Sequence, residues 1–188
     1  LLGHVTINLL GWVGLPILGT LVTLWPTMLH TRLAPDAERQ ARRALPLLIG
    51  GTLVTTAGAL TGLDLLATAG VAGYLLGIGL TVAPMVTEMR QRPPAVFASW
   101  SALAGVAWLT GTLVAFGIAQ VAGSADALSG LAGQLVAAAL IGGVQQVLLG
   151  SLSYLVPVMV GGGPAAMRRR NARVDRAMAP RLVMLNGA

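Results

Sequence analysis

Few residues in this chain have side chains that could do chemistry, and the most suggestive lie at its start. His4, Asn8 and Trp12 recur every four residues, so on a helix they share one face. A neutral imidazole can ligate haem iron or copper, handle a proton, or donate a hydrogen bond to a neighbouring helix. Asn8, one turn on, is the natural side chain to orient it. Gly11 and Gly19 lie on or near that face and leave room for another backbone or a flat ligand. His4 is therefore the candidate metal ligand, and His4 with Asn8 the candidate cofactor-binding pair. The plainer alternative is that both serve packing or face water at a membrane edge. His30 ends the same apolar run just before Arg32 and reads as a solvated residue. With ~1.5 Å of rise per residue, one helix would set His4 and His30 roughly 39 Å apart, so they cannot share an ion. Any second ligand for His4 must come from elsewhere in the polypeptide.

Other chemistries are excluded by what the sequence lacks. There is no cysteine, so no thiolate, disulfide or iron–sulfur site can form within the chain. No nucleophile–base pair, paired carboxylates or phosphate loop can be read. Gly161-Gly162-Gly163-Pro164 is a helix stop, because no strand precedes it and a basic tail follows.

The elements that must position His4 are membrane helices. Hydrophobic residues make up 55% of the chain and charged residues only 10%, against about one quarter charged in a soluble domain. No acidic residue, lysine or arginine occurs before His30, a run longer than the ~20 apolar residues that cross a bilayer. The pattern predicts an all-α, polytopic helix bundle of five spans, near 2–29, 44–63, 65–86, 96–121 and 131–160. Pro16 and Pro26 are expected to kink or end the first span. Residues 37–43 are expected to form a short surface helix. Thr52, Thr55 and Thr56 are the polar content of the second span, with hydroxyls expected to bond back to their own helix or across to a neighbour. Gly73 and Gly77, with Gly70 nearby, predict close helix packing on the third. In the fourth, Trp100 fits an interfacial position, and Trp108 at mid-span packs in the bundle or faces lipid. Residues 124–130 read as a polar turn. In the fifth span Gln134 and Gln145 share a face, beside a stripe of Gly142, Gln146, Gly150, Ser153 and Pro157. A basic segment covers 161–181, and 182–188 read as the start of a further apolar segment. The whole reads as an internal piece of a longer polypeptide.

All twelve basic residues are arginines. They fall in residues 30–45, 87–95 and beyond 161, which alternate spans bring to one side. The opposite side, with Asp64 and Asp126, has none. By the positive-inside rule the arginine side faces the cytoplasm of a multi-pass protein of the bacterial inner membrane. The net charge of +6 is thus a topology signal, and nucleic acid is not an expected partner.

The run HVTINLLGWVGLPILGTLVTLWPTML resembles a recurring helix of haem–copper-oxidase-like and NnrS-like membrane proteins. Together with QVLLGSLSYLVPVMVGGGP it looks more closely like the membrane region of actinobacterial multicopper oxidases, whose periplasmic cupredoxin domains are similar to copper nitrite reductase. The resemblance implies the membrane part of a copper-dependent oxidoreductase, anchoring the enzyme and relaying electrons through a haem or quinol site. It implies His4 as a haem or copper ligand with Asn8 beside it. The implied partners are the bilayer, the remaining helices and the cupredoxin domains, with an oligomer left open. This piece alone is not expected to be catalytic. Half of a transporter or channel, or a purely structural anchor, are the rival readings. A transporter would call for ionisable residues at mid-membrane or a broken helix with a matching repeat. Neither is evident in the sequence.

Overall fold

The computed structural model describes residues 2–122 and 125–187. Among these residues there is no strand, and five helices are long and apolar enough to cross a membrane: Gly3–Leu29, Ala37–Thr61, Asp64–Gln91, Phe97–Ala122 and Gly130–Val160. They are called the first to fifth spans below. A basic helix, Gly163–Asp175, and a terminal helix, Met178–Asn186, follow. The chain is thus an all-α membrane helix bundle.

The helix ends follow local chemistry. Gly62 closes the second span in the left-handed conformation, with φ of 72°, which only glycine adopts without steric cost. Gly161, Gly162 and Gly163 all have positive φ, and Pro164 enters the first turn of the basic helix. The expected stop is therefore a restart as well. Residue 124, where the polar turn was expected to begin, lies outside the described residues; from Ala125 the backbone is already helical.

One expectation about breaks is narrowed and another corrected. Of the two outcomes expected at Pro16 and Pro26, an end of the first span does not occur. The helix widens to the π register over Ile7–Gly14, and the α-helix resumes at Leu15 with Pro16 in its first turn. The Leu15 N–H still bonds the Leu10 carbonyl in the wider register, and such a widening is one of the ways a helix accommodates a local disruption of its ladder. Residues 37–43 are not a separate surface helix. They form the start of the second span, which runs through Pro46 without a break. Pro46, in the third turn, gives up only its own bond to the carbonyl four residues back, and Glu38 and Arg42 pair one turn apart on the exposed face.

At the arginine-bearing end the first and third spans are stitched together. Trp25 Nε1 donates to the Met85 carbonyl at 3.2 Å, and Arg92 Nη1 to the His30 carbonyl at 3.0 Å. Thr31 Oγ1 donates to Gln91 Oε1 at 3.1 Å. The Ala34 N–H donates to Oε1 of Glu88, a carboxylate only 1% exposed. Asp175 Oδ1 accepts from the Phe97 N–H at 2.9 Å and so caps the fourth span from the end of the basic helix. These bonds gather His30, Arg92 and Asp175 at one end of the bundle.

Two buried clusters hold the spans together. One joins Leu21, Trp25 and Met28 of the first span to Met85, Ala102, Val106 and Val147. The other joins Leu10 and Leu18 to Leu48, Val71, Tyr74, Ile78 and Leu113. The tightest seam lies between the second and third spans, where Gly51 and Gly58 face Gly70, Tyr74 and Ala67. Gly70 and Gly77 carry the third span's side of it, while Gly73 comes near only the Gly51 Cα. Thr52 bonds back to the Leu48 carbonyl at 2.8 Å, as expected. Thr55 and Thr56 do not: their buried hydroxyl oxygens have no hydrogen-bond partner among the described residues.

Candidate functional site

His4, Asn8 and Trp12 share one face of the first span, and that face points out of the bundle. All three are exposed, Trp12 by 81%. Asn8 Nδ2 donates to the His4 carbonyl at 2.8 Å and lies 3.4 Å from His4 Nε2. The amide is thus pinned to the backbone of the preceding turn and held beside the ring. The structure brings the sequence-derived pair together, but as a surface pair rather than a buried one.

Of the two glycines near it, only Gly11 makes room for a neighbour, and that neighbour is a helix. Gly11 faces the Thr52 methyl of the second span, where an added Cβ would sit 3.4 Å away. The room it creates is occupied by that span and is not free for a flat ligand. Gly19 has no neighbouring atom within 4 Å of such a Cβ and shapes no contact. His30 caps the far end of the span in the left-handed conformation, exposed, with its carbonyl held by Arg92. Among the described residues, no group of three or more His, Cys, Asp or Glu side chains gathers where an ion could be held.

The interior holds polar chemistry that hydropathy alone did not single out. Tyr74, 2% exposed, donates from its hydroxyl to the Leu10 carbonyl at 2.9 Å, inside the π-helical stretch. Gly14 makes room for that hydroxyl, since a Cβ there would collide with it. A tyrosine in the middle of an apolar span was the available signal, because a buried phenol needs an acceptor. A second group joins the fourth and fifth spans to the terminal helix. Asn186 Oδ1 accepts from Trp108 Nε1 at 2.7 Å and from Gln146 Nε2 at 2.9 Å. Ser101 Oγ donates to the Gln146 carbonyl at 2.8 Å. Gln146 is fully buried, whereas Gln134 and Gln145 are exposed. The buried stripe of the fifth span is therefore the one with Gly142, Gln146 and Gly150, which faces the fourth span. Trp108 packs on Gly142, so at mid-span it belongs to the bundle.

A cavity of about 90 Å³ lies between the first, third, fourth and fifth spans. Both π-helical stretches, Ile7–Gly14 and Ala138–Val144, border it. Such stretches are often found at functional sites in helices. Its walls are mostly aliphatic and aromatic, with Tyr74 among them.

No family model, no curated protein and no solved structure matches this chain.

Proposed function

We propose that this chain is the membrane domain of a bacterial copper-dependent oxidoreductase, of the multicopper oxidase and nitrite reductase-like kind. In this reading it anchors the enzyme in the cell membrane, with the arginine-bearing segments in the cytoplasm. It passes electrons through a haem or copper for which His4 supplies one ligand. The observation that supports the reading is the His4–Asn8 pair. The imidazole stands clear of the bundle, with an amide held 3.4 Å from its Nε2. An accessible neutral imidazole is a common donor to copper or haem iron. The other ligands would come from further helices or cupredoxin domains of the same polypeptide. When bound, the group would supply one-electron transfer; His4 would hold it, and Asn8 would orient His4. Placing the His4 end outward puts that ligand on the side where such domains would sit.

The test is metal analysis with a reduced-minus-oxidised spectrum of the full-length protein. His4→Ala is expected to lower haem or copper content, and Asn8→Ala to lower it less. If His4→Gln matches wild type, or if wild type carries neither haem nor copper in its membrane part, the redox role fails and the anchor reading replaces it.

The orientation is checked separately. Single cysteines at Gln40 and Leu63, on opposite ends of the second span, are expected to react with an impermeant maleimide from opposite sides of the membrane. Gln40 should be protected in intact cells. Reaction of Gln40 from outside would invert the topology.

A further inference from the structure

The half of the first span remote from the arginines packs on the second span, while the corresponding half of the fifth span packs on the fourth. Val5 and Leu9 on one side therefore face Leu135 and Ala139 on the other across a cleft, with Ile78 and Leu113 behind. The lining residues belong to four of the five apolar spans, so bilayer hydrocarbon is the medium that lies beside the cleft. A cavity with such walls does not recruit water, which needs two to four polar partners.

The polar groups in the walls are already committed. Tyr74 donates to the Leu10 carbonyl, Thr110 Oγ1 to the Val106 carbonyl at 2.8 Å, and Thr112 Oγ1 to the Trp108 carbonyl at 2.8 Å. Thr6 is engaged as well. The hydroxyl protons of Tyr74, Thr110 and Thr112 are thus committed to carbonyls, which argues against a quinone ring in this place. Size argues the same way. An apolar cavity of about 150 Å³ accommodates benzene, and this one, at about 90 Å³, has room for a short length of a slender chain but not for a ring or macrocycle. Left empty, its walls would forfeit dispersion contacts on one side.

We propose that this cleft is a binding site for one acyl chain of a membrane phospholipid, which enters from the bilayer between Val5 or Leu9 of the first span and Leu135 of the fifth. The chain lies against the π-helical stretches and fills the gap that the two spans leave between them. The proposal is independent of any redox group at His4.

The test uses the full-length protein in nanodiscs of phosphatidylcholine bearing a diazirine near the end of one acyl chain. After photolysis, labelled residues are mapped by mass spectrometry. Leu9 and Leu135 are expected to label several-fold more than Leu76 and Leu152, which sit on exposed faces of the third and fifth spans. Ala139→Phe should fill the cleft and bring labelling of Leu9 down to the level of Leu76. Ala132→Leu, a smaller filling at the half-buried wall, should lower it in part and serves if the larger variant does not fold. Equal labelling of Leu9 and Leu76 in wild type would overturn the proposal. So would labelling of Leu9 unchanged in a folded filling variant, or ready reaction of a cysteine at Leu9 with an aqueous maleimide, which would mean a wet cleft.

Discussion

Alanine at Gly51 is expected to destabilise the bundle, although alanine is the better helix former. A Cβ at this position would lie 2.6 Å from the Tyr74 backbone nitrogen and 2.8 Å from the Gly70 carbonyl oxygen. Both obstacles are main chain and cannot rotate away, so the second and third spans must separate. Gly58 is placed in the same way against the Ala67 backbone. Overpacking of this kind costs about 1–3 kcal/mol. The gain in helix propensity offsets at most ~1 kcal/mol. Within a bilayer the balance tips further toward loss, because close van der Waals contact is what drives helices together there. Gly77 differs: its Cβ would meet first the Leu48 side chain, which can change rotamer, and the nearest backbone atom, the Leu48 nitrogen, is 3.2 Å away. Gly77→Ala should therefore cost less than Gly51→Ala, and Gly77→Leu clearly more than Gly77→Ala. Gly79→Ala, where nothing lies within 4 Å, should be neutral or slightly stabilising. Thermal unfolding in detergent orders the four variants. Equal midpoints for Gly51→Ala and Gly79→Ala would show that the seam is not close-packed in the protein.

Trp25→Ala is expected to be the most damaging single truncation. Trp25 is fully buried and is the largest side chain that is so. It fills the space between Met28, Met85 and Ala102 where the first, third and fourth spans meet. Truncating a buried tryptophan in a core costs about 3–5 kcal/mol, part transfer and part cavity. In a membrane protein the transfer part shrinks, since lipid tails are as apolar as the core. The cavity part remains, and the bond from Nε1 to the Met85 carbonyl is lost with it. Trp25→Phe keeps most of the packing and removes the donor, which should cost roughly 1 kcal/mol. The two variants should separate clearly in thermal unfolding. A Trp25→Ala protein as stable as Trp25→Phe would show that hydrogen bonding, not volume, is what the indole contributes.

The number and nature of the membrane helices were legible in the sequence, because length and hydropathy alone decide whether a run can cross a bilayer. The grouping of arginines into alternate connections was legible too, and the contacts of His30 with Arg92 and of Phe97 with Asp175 place those segments at one end. The triple glycine marked its break correctly, since positive φ at successive positions is a local property. The spacing of His4, Asn8 and Trp12 put them on one face, as the helix requires, but did not reveal where that face points. In a soluble helix the polar face marks the outside. Here nearly every position is apolar and the medium outside is apolar as well, so periodicity carries little information about burial. For that reason only the tertiary structure decided that Gly11 serves the second span, that Gln146 is buried while Gln145 is not, and that Gly70 sits deeper in the seam than Gly73. The widening of the first span to the π register, and the Tyr74 hydroxyl that meets it at Leu10, likewise depend on a neighbour 64 residues away in the chain. A contact over that distance is set by how whole helices pack, not by any local pattern of residues.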